Sequence, residues 1–114
     1  MAPTGTQELA SKKCIPCSGG TPPLNSDQLS EYSAKLPEWS LQGEHHIQCD
    51  WKFDDFKAAW SFVNKVAELA EQEGHHPEIW FTYGKVHIQL RTHKVDGLTE
   101  ADFVLAAKIS ELSG

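Results

Sequence analysis

Residues 55–90 read DFKAAWSFVNKVAELAEQEGHHPEIWFTYGKVHIQL, and two periodicities in this stretch decide the fold. Phe56, Ala59, Trp60, Val63, Val66, Ala67 and Ala70 recur at spacings of three and four, the stripe of one long amphipathic helix. Asp54 or Asp55 can cap its start, and Gly74 stops it. His75-His76-Pro77 follows at once, and a residue before proline is pushed out of helical backbone. The period then falls to two. Ile79, Phe81 and Tyr83 alternate with Trp80 and Thr82; beyond the turn at Gly84-Lys85, Val86, Ile88 and Leu90 alternate with His87, Gln89 and Arg91. A helix feeding a hairpin whose strands each have one apolar face predicts a sheet covered by helices on one side.

The same reading extends in both directions. Upstream, Ile47, Cys49, Trp51 and Phe53 alternate with His46, Gln48, Asp50 and Lys52, and Trp39 and Leu41 precede a turn at Gly43-Glu44, giving a second hairpin. Before it, Leu29, Tyr32 and Leu36 mark a helix from an N-cap at Ser26 to about Leu36, ended by Pro37. Downstream, a polar loop from Thr92 to Gly97 leads to a last helix. Thr99 caps it, Asp102 stands three residues on, and Leu98, Ala101, Leu105, Ile109 and Leu112 form its buried face. The predicted fold class is α+β, a four-stranded antiparallel sheet with three helices packed on one face, in the order helix-strand-strand-helix-strand-strand-helix. Residues 1–22, rich in Thr, Ser, Gly and Pro, are expected to form a flexible N-terminal arm, and residues 23–114 one domain.

Ten Lys and Arg against sixteen Asp and Glu leave a net charge of −6 in 114 residues. That balance argues against a sequence-independent grip on nucleic acid and against attraction to an anionic membrane surface. No apolar run has the length of a membrane span or the look of a signal segment, so the expected location is cytoplasmic. Three Cys is an odd number and does not suggest a secreted disulfide framework. Cys14 and Cys17 have the spacing of half a zinc site or a redox pair. With no second pair following, and Gly and Pro around them, they read as reduced thiols in the arm. Cys49, in strand alternation, reads as core.

The six His are the compositional oddity. His75 and His76 sit just past the long helix, and His93 just past the fourth strand. Glu71 lies one helical turn before His75, Asp102 in the first turn of the last helix, and Asp96 in the loop between. Imidazoles exchange protons near neutral pH and a carboxylate beside one fixes its tautomer, so this pattern points to paired acid–base chemistry on a small molecule. Trp80, Phe81 and Tyr83 offer a flat surface to an aromatic ring. Each residue also has a plainer explanation: a His after a helix bonds the last carbonyls, Asp102 is a first-turn helix charge, and Glu71 is solvated surface. His45, His46 and His87 read as surface or strand. Metal ligation by His75, His76 and His93 is disfavoured because adjacent His rarely point at one ion, so no metal is assigned.

Taken together, Glu71, His75-His76-Pro77, Tyr83, His93 and Asp102 resemble the signature of the pterin-4a-carbinolamine dehydratases. The local strings Gly74-His75-His76-Pro77-Glu78, Lys85-Val86-His87-Ile88, Thr92-His93 and Gly97-Leu98-Thr99 are similar to that family too, as are Trp39 and the Phe53-Asp54-Asp55-Phe56 corner. The resemblance runs from about residue 24 to the C-terminus and leaves the arm unexplained. It implies dehydration of 4a-hydroxytetrahydropterin to the quinonoid dihydropterin, in the recycling of tetrahydrobiopterin, without metal or cofactor. It implies His75 and His93 as the acid–base pair and His76 as the residue that binds and orients the pterin. Glu71 and Asp102 would hold imidazoles or contact the ring, with Pro77 and Trp80 as supporting positions. It further implies a homodimer or homotetramer; the acidic balance, separately, leaves no nucleic-acid or membrane partner expected. Some animal members of that family are also dimerisation cofactors of a transcription factor, so an interaction module acting as a coactivator is the second reading. A folate- or molybdopterin-linked role for the same pocket is the third.

Overall fold

The computed structural model describes residues 24–92 and 97–113. The elements run α1 (Ser26–Lys35), β1 (Ser40–Gln42), β2 (His46–Lys52), α2 (Phe56–Glu73), β3 (Glu78–Thr82), β4 (Lys85–Leu90) and α3 (Glu100–Ser113). This is the predicted α+β order. The predicted arm, Cys14 and Cys17 included, lies outside the described residues, as do His93 and Asp96.

The sheet order is β1-β2-β4-β3, antiparallel throughout. Each hairpin places its second strand in the centre, and the longest pairing, Ile47↔Leu90 to Lys52↔Lys85, welds the two hairpins together. Alternation then sorts the faces. Ile47, Cys49, Val86, Ile88 and Leu90 are buried under the helices, while Asp50, Lys52, Glu78, Trp80 and Lys85 stay exposed on the other side. Burial pushes the Cys49 thiol up to about 11, as expected of an inert core cysteine.

The helix ends differ in places from the sequence reading. Asn25, not Ser26, is the N-cap of α1, and it forms a capping box with Gln28. Asp55 caps α2, and its side chain accepts from the Ala58 amide at 2.7 Å. The buried stripe of α2 is Ala59, Phe62, Val66 and Ala70, whereas Phe56, Trp60 and Ala67 are exposed. The reason is local. Phe62 fits between the Trp51 and Phe53 rings, at 5.0 and 5.4 Å, and this turns the expected stripe to one side. Phe56 then rests on Phe81 of β3.

The last helix is buried on more than one face: Ala101 to Ala107 and Ile109 are all inside, with Phe103 the largest fully buried side chain. A helix that is apolar nearly all round belongs in the middle of a fold. It is held at both ends. Near its start, Tyr32 stacks on Phe103 and donates to Glu100, and burial together with that carboxylate pushes the phenol up to about 12. Near its end, the Trp39 indole donates to Ser110, which donates to Glu38.

Candidate active site

The close of α2 aims the first histidine. Gly74 takes a left-handed backbone at φ 66°, and the His75 amide returns to the Ala70 carbonyl at 3.2 Å, ending the helix in a Schellman-type turn. The chain leaves that turn toward α3, to which the end of α2 is also tied by Lys108 against Glu73 at 3.8 Å.

On the α3 side, Asp102 is in the first turn. Its Oδ2 accepts from the Thr99 amide at 3.0 Å, the reach-back of a third helical residue to its N-cap. The same oxygen accepts from the Thr92 hydroxyl at 2.7 Å. Its Oδ1 faces His75 Nε2 at 2.6 Å. One oxygen of Asp102 thus meets the start of its own helix, and the other meets the His75 imidazole. Asp102 is 0% exposed and His75 16%. A carboxylate removed from water needs such donors to offset its lost hydration.

His76 turns the other way. Its Nε2 meets Glu71 Oε1 at 2.7 Å, with the two side chains 62% and 79% exposed. Two adjacent imidazoles thus use two different carboxylates, one deep and one at the surface. Pro77 follows, partly buried, and leads directly into β3.

Of the residues the sequence singled out, His75, His76, Glu71, Pro77 and Asp102 come together at the junction of α2 and α3. His93 lies outside the described residues. Trp80 does not join them and is a correction: it stands 50% exposed on the open face, with its ring 5.3 Å from His87. Strand alternation explains this, since Ile79 and Phe81 take the helix side. His87 in turn pairs with Asp50 at 2.6 Å on that open face. Thr92 was missed by the sequence reading. Nothing in a Thr that opens a loop two residues past a strand signals a bond to a carboxylate ten residues on; only the Thr99–Asp102 spacing hinted at half of this arrangement.

A family model described as pterin 4 alpha carbinolamine dehydratase matches residues 22–112. A protein of Rubrobacter xylanophilus, provisionally named a pterin-4-alpha-carbinolamine dehydratase, is 50% identical over 105 residues, 92% of this chain and 98% of its own length. One of Alkaliphilus metalliredigens with the same provisional name is 53% identical over 104 residues, 90% of this chain and 94% of its own. Among solved structures, a transcriptional coactivator/pterin dehydratase from Brucella melitensis superposes with a TM-score of 0.75 at 34% identity, covering 80% of this chain and 98% of that one. A pterin dehydratase-like RuBisCO assembly factor of the alpha-carboxysome superposes with a TM-score of 0.59 at 28% identity, covering 68% and 90%.

Proposed function

The chain belongs to the pterin 4 alpha carbinolamine dehydratase family, and from that premise we propose that it dehydrates 4a-hydroxytetrahydropterins by imidazole acid–base catalysis. The observation that carries this reading is His75 held at 2.6 Å by the buried Asp102. In the reaction the C4a–O bond breaks, the departing hydroxyl gains a proton and leaves as water, N5 gives up its proton, and a C4a=N5 double bond forms. The balance needs one acid and one base and involves no change of oxidation state. The reading therefore assigns neither metal nor cofactor.

His75 and His93 are the proposed acid–base pair. With Nε2 on Asp102, a neutral His75 presents Nδ1 as its basic nitrogen. His76, more exposed and steadied by Glu71, binds and orients the pterin. Pro77 fixes the direction in which the chain leaves the two imidazoles. Trp80 takes no part, because its ring lies on the far face of the sheet. The physiological role proposed is tetrahydrobiopterin recycling in the cytoplasm. The test is acceleration of carbinolamine dehydration by the purified chain, with loss in His75→Ala and His93→Ala.

The chain is further proposed to work as a homodimer or homotetramer. Among the described residues β3 is an outer strand, and Phe56 on its Phe81, Trp60 one helical turn from Phe56, and Tyr83 just past the strand are exposed; these features support that assembly. The coactivator reading keeps a place because two superposable structures are described as a transcriptional coactivator and an assembly factor. It predicts a heteromeric complex that survives His75→Ala, and a pull-down returning only this chain would count against it.

A further inference from the structure

The protons of the buried cluster can be placed by counting donors. Thr92 Oγ1 lies 2.7 Å from Asp102 Oδ2 and 2.9 Å from Thr99 Oγ1. A hydroxyl has one proton to give, and a carboxylate only accepts. Thr92 therefore spends its proton on Asp102, and Thr99 must give its own to Thr92. From the other side His75 donates through Nε2 to Oδ1. The line runs Thr99 to Thr92 to Asp102, and from His75 back to Asp102, with every direction fixed.

We propose that Thr92, backed by Thr99, is a positioning residue for the dehydration, acting through Asp102 to hold His75 in its Nε2–H tautomer. The inference rests on the acid–base reading of His75 above. The Thr92 hydroxyl and the Thr99 amide share Oδ2, which leaves Oδ1 to the imidazole alone. Thr92 is itself rigid. Its amide donates to the Gly97 carbonyl at 2.7 Å, and its carbonyl accepts from the Gly97 amide at 3.4 Å. Thr92 and Thr99 are each 4% exposed, so bulk water does not replace a missing hydroxyl. Removing the Thr92 hydroxyl leaves Oδ2 to the Thr99 amide alone, so the carboxylate is held less firmly about its last bond and the imidazole loses the fixed orientation of its partner.

Thr92→Val and Thr92→Ser in the full chain test this. Val keeps the branched shape without the hydroxyl, and Ser keeps the hydroxyl. The Val variant should lose on the order of ten- to a hundredfold in kcat. Its KM should stay within about twofold of wild type, and the Ser variant should keep most of the activity. Nitrogen NMR of the His75 ring gives a readout that needs no substrate: the Nε2–H form dominates in wild type and Ser, and a mixture of tautomers appears in Val. A merely structural role would lower the melting temperature and leave kcat and tautomer alone, and that result in a folded Val variant overturns the proposal. If the Val variant does not fold, Thr99→Val, which keeps the amide bond to Asp102, decides it: a several-fold loss of kcat supports the proposal, and wild-type kcat and tautomer overturn it. Wild-type chain inactive on the carbinolamine would overturn the acid–base reading instead, and the tautomer spectra would still decide the placing of His75.

Discussion

His75 sits with 16% of its side chain exposed against a carboxylate that has none, whereas His76 and Glu71 stand 62% and 79% exposed. Burial makes the first pair strong and geometrically fixed, and solvent screens the second. His75→Ala should therefore cost on the order of 10²–10⁴ in kcat, while Glu71→Gln should cost less than about fivefold. His45→Ala, at a surface turn, should be close to neutral, and equal effects at His75 and His45 would refute the assignment. A second residue-scale consequence lies at alkaline pH. Burial raises Cys49 from 9.0 to about 11, and burial with Glu100 raises Tyr32 from 10.0 to about 12. The folded chain keeps these protons where the unfolded chain has released them. Stability from Cys49 is thus complete below pH 9.0 and lost as pH rises toward about 11; Tyr32 acts the same way from 10.0 to about 12. Urea midpoints across this range should fall for wild type and fall less for Cys49→Ala and Tyr32→Phe.

Element ends were largely legible in the sequence, because caps and turns are local chemistry. Asp55 and Gly74 bound α2 as read, and Asn25-Ser26-Asp27-Gln28 contains the capping-box spacing even though Ser26 first suggested the cap. Which side of α2 is buried was only half legible. A stripe of seven apolar positions is wider than the sheet surface available to it, and the fit of Phe62 between Trp51 and Phe53 is a tertiary fact. Turn chemistry gives a quantitative expectation. Gly43 and Gly84 both take positive φ, at 59° and 74°, but a Cβ on Gly84 would meet the Phe53 carbonyl oxygen at 3.0 Å while one on Gly43 meets nothing within 4 Å. Gly43→Ala should cost about 1 kcal/mol and Gly84→Ala about 2 kcal/mol or more in urea unfolding. The reverse order would mean that the β3–β4 turn relaxes more easily than its contacts indicate.

Across the whole molecule, the sequence led to the fold class but not to the sheet order. Hairpins follow from short turns, whereas the β2–β4 pairing joins segments about forty residues apart and has no local signature. The site shares this split. Glu71 to His76 is one turn of chain, and Thr99 to Asp102 is a helix start. The His75–Asp102 bond spans 27 residues and exists only because α2 and α3 pack together. Trp80 was misplaced for the opposite reason: nearness in sequence to His75 says nothing about which face of a strand a ring takes. Assembly is also a whole-molecule property. Sedimentation equilibrium should give the mass of two or four chains, and Trp60→Glu should lower it; a wild-type monomer at micromolar concentration would refute the proposed oligomer.

The most direct measurement is the rate of dehydration of a 4a-hydroxytetrahydropterin by the purified chain in the presence of a metal chelator, with wild type and His75→Ala compared. The account predicts full acceleration by wild type under chelation and a loss on the order of 10²–10⁴ in the variant. Activity abolished by the chelator, or a His75→Ala variant as fast as wild type, would contradict it.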